Sequence, residues 1–141
     1  MQSDHETRRI LVVDDDPICA RIVAHWLAGE GFESDDVSNG AEALNRLAER
    51  NYDAVVSDVQ MPVVNGFELL QHVHKRFPHL PVILMTAFCE EGMCQAAEAW
   101  GAATLLQKPL AREEVLSALS ALIHRSCQSN PDAAELQLNH H

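Results

Sequence analysis

The feature that most constrains this chain is a set of short apolar runs that do not alternate with polar residues. They are Ile10-Leu-Val-Val13, Ala54-Val-Val56, Val82-Ile-Leu-Met85 and Leu105-Leu106. A strand with one wet face alternates, whereas a strand covered on both faces is apolar throughout, and such strands belong to parallel sheets flanked by helices. Phe32 to Val37 is more polar and fits an edge strand.

The stretches between these runs carry helical spacing. Ile18, Ile22, Val23, Trp26 and Leu27 predict a first helix with Pro17 in its opening turn. Asn39 with Glu42 reads as a capping box, and Ala43, Leu44 and Leu47 form the stripe of a second. Phe67, Leu70, Val73 and Phe77 mark a third, Met93, Ala96, Ala97 and Trp100 a fourth that Gly92 weakens at its start, and Val115, Leu119, Leu122 and Ile123 a fifth. Alternating strands and helices predict an α/β fold: a doubly wound, five-stranded parallel sheet, (βα)5, in the order 2-1-3-4-5 of flavodoxin-like sheets. At 141 residues this is one domain, expected over 9–124, with 1–8 a disordered lead-in and 125–141 a polar tail or severed linker.

Composition narrows the function. Ten Lys plus Arg against twenty-one Asp plus Glu gives −11, which disfavours direct binding of nucleic acid or of an anionic membrane. No apolar run reaches a membrane span and Met1 to Arg8 lacks a signal core, so a cytoplasmic location is expected. Cys19, Cys89, Cys94 and Cys127 have neither disulfide nor zinc spacing and are expected to be reduced, structural thiols.

Parallel strands end on one edge of the sheet, so the residues after each run gather there. The first run ends in Asp14-Asp15-Asp16, the third strand in Asp58, the fourth in Thr86 and the fifth in Lys108-Pro109. An Asp triplet before a helix is by itself an ordinary cap, but carboxylates, a hydroxyl and an ammonium converging from four strand ends are chemistry. Two carboxylates ~5 Å apart repel by roughly 3 kcal/mol at an effective dielectric near 20. Lys108 alone is insufficient compensation, and a hard divalent cation with oxygen ligands, Mg²⁺ or Mn²⁺, is expected. The implied substrate is a phosphoryl group, with Asp58 as nucleophile.

These stretches, with Val55-Val-Ser-Asp-Val-Gln-Met-Pro62, Asn65-Gly66, Met85-Thr-Ala87 and Gly101-Ala102, resemble the receiver domain of two-component response regulators, over roughly Arg9 to Ile123. The resemblance implies that Asp58 takes phosphoryl from a histidine kinase or phosphotransfer protein. It also implies that Asp15, Asp58 and the Gln60 carbonyl ligate the metal, with Asp14 acting through water. By the same resemblance Thr86 and Lys108 bind the phosphoryl oxygens, the Lys108-Pro109 bond is cis, and Gln60 and Phe88 tune attack by water. The family's switch uses a ring in strand five. Leu105 stands there, so weaker or differently routed coupling is expected. The outcome would be a changed face on helix four, strand five and helix five that regulates a downstream protein or attached output domain, with a homodimer among the assemblies it admits. Catalysis would be confined to the domain's own phosphoryl transfer and dephosphorylation.

Two rivals stand beside this reading. One is a pseudo-receiver that docks partners constitutively, suggested by Leu105. The other, a flavin-binding or phosphatase relative, lacks the hydroxyl- and glycine-rich phosphate loop. His72 and His74, two apart on a helix, are read as solvated rather than metal-binding, as are His25 and His124. Trp26 and Trp100 are read as packing, Asp35-Asp36 and Glu90-Glu91 as solvated charge, and a redox role for Cys89 is not adopted.

Overall fold

The computed structural model describes residues 7–61, 64–88 and 90–128, with side-chain surroundings through Ile123. Cys89 and the side chains of His124 and Cys127 lie outside the described residues. Strands β1 (Arg9–Val13), β2 (Glu33–Val37), β3 (Ala54–Asp58), β4 (Val82–Thr86) and β5 (Thr104–Gln107) alternate with helices α1 (Pro17–Gly29), α2 (Gly40–Glu49), α3 (Gly66–Arg76), α4 (Met93–Ala99) and α5 (Arg112–Gln128). All pairings are parallel and the order is β2-β1-β3-β4-β5, as the alternation of runs predicts.

The central strands divide their side chains between two cores. Leu11, Val13, Val55 and Leu84 meet Ala43, Leu47, Leu69, Leu70 and Val73 on the α2–α3 side. Ile10, Val12, Val56, Ile83 and Met85 meet Val23, Leu27, Val115 and Leu119 on the α1–α5 side. Each fully buried aliphatic side chain contributes roughly 1.5–3 kcal/mol by leaving water. This two-sided burial is why β1, β3 and β4 read as unbroken apolar runs.

Departures from expectation follow from the edges. Leu105 and Leu106 are only half-buried, because β5 has no outer neighbour and the seven-residue α4 buries only Ala97. In α1 the buried face is Ala20, Val23 and Leu27, which leaves Ile18 70 % and Ile22 45 % exposed. Trp100 follows α4 as its C-cap and is 45 % exposed, not a core residue. Asp35 is not simply solvated: on β2 it accepts hydrogen bonds from Tyr52 (2.6 Å) and Arg50 (3.2 Å), with Arg9 at 3.5 Å and Arg46 at 3.9 Å. Burial pushes its pKa up, but the Tyr52 hydroxyl and the guanidinium groups outweigh this and hold it below the usual value. Arg8 is tied into the domain, its carbonyl accepting the Glu33 N–H at 2.9 Å. Helix α5 runs on to Gln128.

Caps set where the helices begin. Asn39 accepts the Glu42 N–H at 2.8 Å, but Glu42 returns the contact to Ser38 rather than to Asn39. The complete capping box is Asn65 with Glu68, both bonds at 2.9 Å. That box fixes the start of α3 directly below the candidate site.

Candidate phosphoryl and divalent-cation site

The acidic triplet after β1 divides its labour. Asp14 is held by its N–H to the Val37 carbonyl (3.1 Å) and is 2 % exposed. Its Oδ1 accepts the Asp16 N–H at 2.9 Å. Asp16 is the N-cap of α1, accepting the Ile18 N–H at 3.0 Å, so capping accounts for this aspartate alone. Asp15, between them, is exposed.

Asp58 is the last residue of β3 and 7 % exposed. The loop beyond it is pinned by Val59 N–H to the Met85 carbonyl and Gly66 N–H to the Val59 carbonyl, each 2.8 Å. A Cβ at Gly66 would run into the Asp58 carbonyl, so α3 can start this close to the site only from glycine. Gln60 aims its N–H at Asp58 Oδ1 (3.4 Å).

Lys108 crosses from the far edge, as the strand order requires. Its N–H holds the Thr86 carbonyl at 2.7 Å, and its peptide bond to Pro109 is cis. The ammonium sits 3.0 Å from Asp14 Oδ2 and 3.4 Å from Asp58 Oδ2, with its side chain 19 % exposed. Oxygens of Asp14, Asp15 and Asp58 all lie within 4.8 Å of one another. An open recess of ≈ 480 Å³ beside them is lined by Asp15, Val59, Gln60, Met61 and Asn65.

The electrostatics follow from this crowding. Burial raises the Asp58 pKa and Asp14 adds to the rise, while Lys108 and the Gln60 N–H oppose it. Burial favours the neutral amine of Lys108, but the Asp14 and Asp58 carboxylates prevail and its pKa is raised. Three hard oxygen donors at ion-binding separation, with one ammonium for two buried carboxylates, leave a surplus of negative charge that a divalent cation fits.

Thr86 is fully buried, and its hydroxyl is turned along the chain, donating to the Phe88 carbonyl (2.8 Å) and accepting the Phe88 N–H (3.1 Å). The Phe88 ring is 66 % exposed and Leu105 packs half-buried against the α2–α3 core. Cys19 is a site neighbour that the sequence does not announce. Burial and the Asp14 carboxylate push its thiol up to about 11, and it lines a ≈ 330 Å³ groove with Asp16, Ile22, Trp26 and Lys108. The available signal was its place in the first turn of a helix that begins at the pocket.

Comparison with known proteins agrees with this geometry. Residues 10–120 match the model of the response regulator receiver domain. The chain is 35 % identical over 128 residues to the DNA-binding transcriptional regulator NtrC of Escherichia coli (strain K12), covering 90 % of this chain and 27 % of that protein. It is 36 % identical over 129 residues to the response regulator MprA of Mycobacterium sp. (strain KMS), covering 91 % and 56 %. The chain thus spans between about a quarter and somewhat over half the length of these relatives. Among solved structures, the chemotaxis protein CheY4 of Vibrio cholerae superposes with a TM-score of 0.76 at 31 % identity, covering 83 % of this chain and 99 % of that one. The CheY-like receiver domain protein of Methanospirillum hungatei JF-1 reaches a TM-score of 0.84 at 23 % identity, covering 89 % and 100 %, a likeness of fold. With the matched stretch taking in all five strands except Arg9 at the start of β1, and every residue of the pocket, the chain belongs to the response regulator receiver domain family.

Proposed function

We propose that this domain is a phosphorylation-controlled switch in which Asp58 accepts a phosphoryl group from the phosphohistidine of a histidine kinase or phosphotransfer protein. The observation that carries the reading is the Lys108 ammonium lodged between Asp14 and Asp58, with Asp15 completing the oxygen cluster. An Asp58 carboxylate oxygen attacks phosphorus, the P–N bond breaks, and the electron pair leaves with the imidazole. Asp15, Asp58 and the Gln60 carbonyl would hold Mg²⁺, with Asp14 behind them through water. The ion supplies positive charge to the phosphoryl oxygens.

The chain's own groups do the rest. Lys108 shifts from pairing two carboxylates to pairing a phosphoryl oxygen. The Thr86 hydroxyl leaves Phe88 to donate to another. That rotation strips the Phe88 carbonyl and N–H of their partner, and the loop leading to α4 repacks. With Leu105 in place of a ring, the change reaches the α4–β5–α5 face through this loop more than through β5. The exposed Ile18 and Ile22, beside the groove that Lys108 lines, offer the phosphodonor an apolar seat. The output is exerted on a downstream protein or an attached output domain. No helix of the described residues is long and apolar enough to cross a membrane.

Incubation with acetyl phosphate and Mg²⁺, read on phosphate-affinity gels, tests the reading. One acid-stable, base-labile adduct is expected, absent from Asp58→Asn and from samples with chelator. An adduct that persists in Asp58→Asn, or none under any divalent ion, would overturn it.

A further inference from the structure

In a chain of net charge −11, the stretch from Gln71 to Leu80 holds His72, His74, Lys75, Arg76 and His79 and no carboxylate. Arg9, Arg46, Arg50, Lys108 and Arg112 all have acidic partners, whereas Lys75 has no ion pair among the described residues. Lys75 is one wall, with His72 and His74, of a ≈ 590 Å³ groove whose other wall is Ala99, Trp100 and Gly101. The histidines, read from spacing as sharing no face, thus border one groove.

The second wall is aromatic. Trp100 is 45 % exposed and is held edge-to-face on Phe67, with ring centroids 5.2 Å apart, so it stays at the surface instead of folding inward. Gly101 sits at φ 101°, where a Cβ would come within 3.0 Å of His74 Nδ1. The turn after α4 approaches α3 this closely only as glycine. A lysine without an acidic partner among the described residues, beside an exposed, fixed tryptophan, combines steering charge with an anchor, the pairing that concentrates binding energy in interfaces.

We propose that the α3–α4 groove is a docking surface for an acidic segment of a partner protein, which sets one apolar side chain against Trp100. Charge complementarity selects that occupant. A nucleic acid carries charge along its whole length and would meet the acidic remainder of the domain, whereas a short acidic peptide needs only this patch. The surface is separate from the Asp58 pocket and does not require its chemistry.

The test uses Trp26→Phe, which leaves Trp100 as the sole tryptophan, titrated at low salt with a synthetic peptide of glutamates and aspartates around one leucine. A saturable change in Trp100 fluorescence is expected. The double variant His74→Glu/Lys75→Glu should weaken binding by about tenfold or more, since like charges then face each other. Lys75→Gln should weaken it by about threefold, and Arg21→Glu, on α1, should leave it unchanged. No saturable change, equal loss with Arg21→Glu, tighter binding of a single-stranded oligonucleotide of equal charge, or a signal that tracks self-association in sedimentation would each overturn the proposal.

Discussion

Replacing Lys108 by Met removes the ammonium while keeping an unbranched apolar stem out to Cε, so the change chiefly removes charge. At an effective dielectric near 20, the 3.0 Å contact to Asp14 and the 3.4 Å contact to Asp58 are each worth roughly 5 kcal/mol gross. Much of that is offset by the cost of drying the ammonium, and breaking a buried pair typically costs about 3–5 kcal/mol net. The loss is compounded because Asp14 and Asp58, 0 % and 10 % exposed at the side chain, then face each other without a counter-ion. Lys108→Met should therefore lower the unfolding free energy in urea by about 3–5 kcal/mol at pH 7 with chelator present, a large fraction of a typical domain's 5–15 kcal/mol. The deficit should shrink in millimolar Mg²⁺, which would bind the folded carboxylates in place of the ammonium. It should also shrink as the pH falls through the raised Asp58 pKa. A variant within ~1 kcal/mol of wild type in chelator, or one indifferent to Mg²⁺, would refute the electrostatic reasoning.

Other perturbations test separate links. Asp35→Asn should cost about 1–3 kcal/mol at pH 7. Because the folded pKa of Asp35 is lowered, its contribution is present above the unfolded carboxylate value and is lost as pH falls through the folded one, so wild-type and variant stability curves should converge in acid. Gly66→Ala should destabilise by about 1–3 kcal/mol and weaken Mg²⁺ binding, because the new Cβ must displace the Asp58 carbonyl. Asn65→Ala should cost about 1 kcal/mol by urea unfolding through loss of its half of the capping box. Thr86→Ala should still acquire phosphoryl on Asp58 but lose the phosphorylation-dependent change in hydrogen exchange across residues 86–88.

What could be read from sequence divides along physical lines. The sheet was legible because burial on both faces leaves 10–13, 54–56 and 82–85 of β1, β3 and β4 without a polar residue, and the pocket because parallel strands deliver Asp14, Asp58, Thr86 and Lys108 to one edge whatever lies between them. The edges were less legible. Leu105 and Leu106 are as apolar as core residues, but only the layout shows that β5 lacks an outer neighbour and that α4 is too short to cover it. Ile18 and Ile22 share the helical spacing of Val23 and Leu27, and which part of so wide a stripe is buried depends on where α5 lies. The Asp35 network joins β1, β2, α2 and Tyr52, and no local pattern connects them. Cys19 beside Asp14 was hidden for the same reason, since the contact is set by how α1 leaves the pocket.

If Asp14, Asp15 and Asp58 form one cation-binding cluster around Lys108, the domain takes up a divalent ion before it is phosphorylated. Calorimetric titration of the unphosphorylated domain with Mg²⁺ examines that directly. A single saturable site is expected, sharply weakened in Asp15→Asn and in Asp58→Asn and retained in Asp16→Asn, whose carboxylate caps α1 instead. No heat of binding in the wild type, or equal weakening in all three variants, would contradict it.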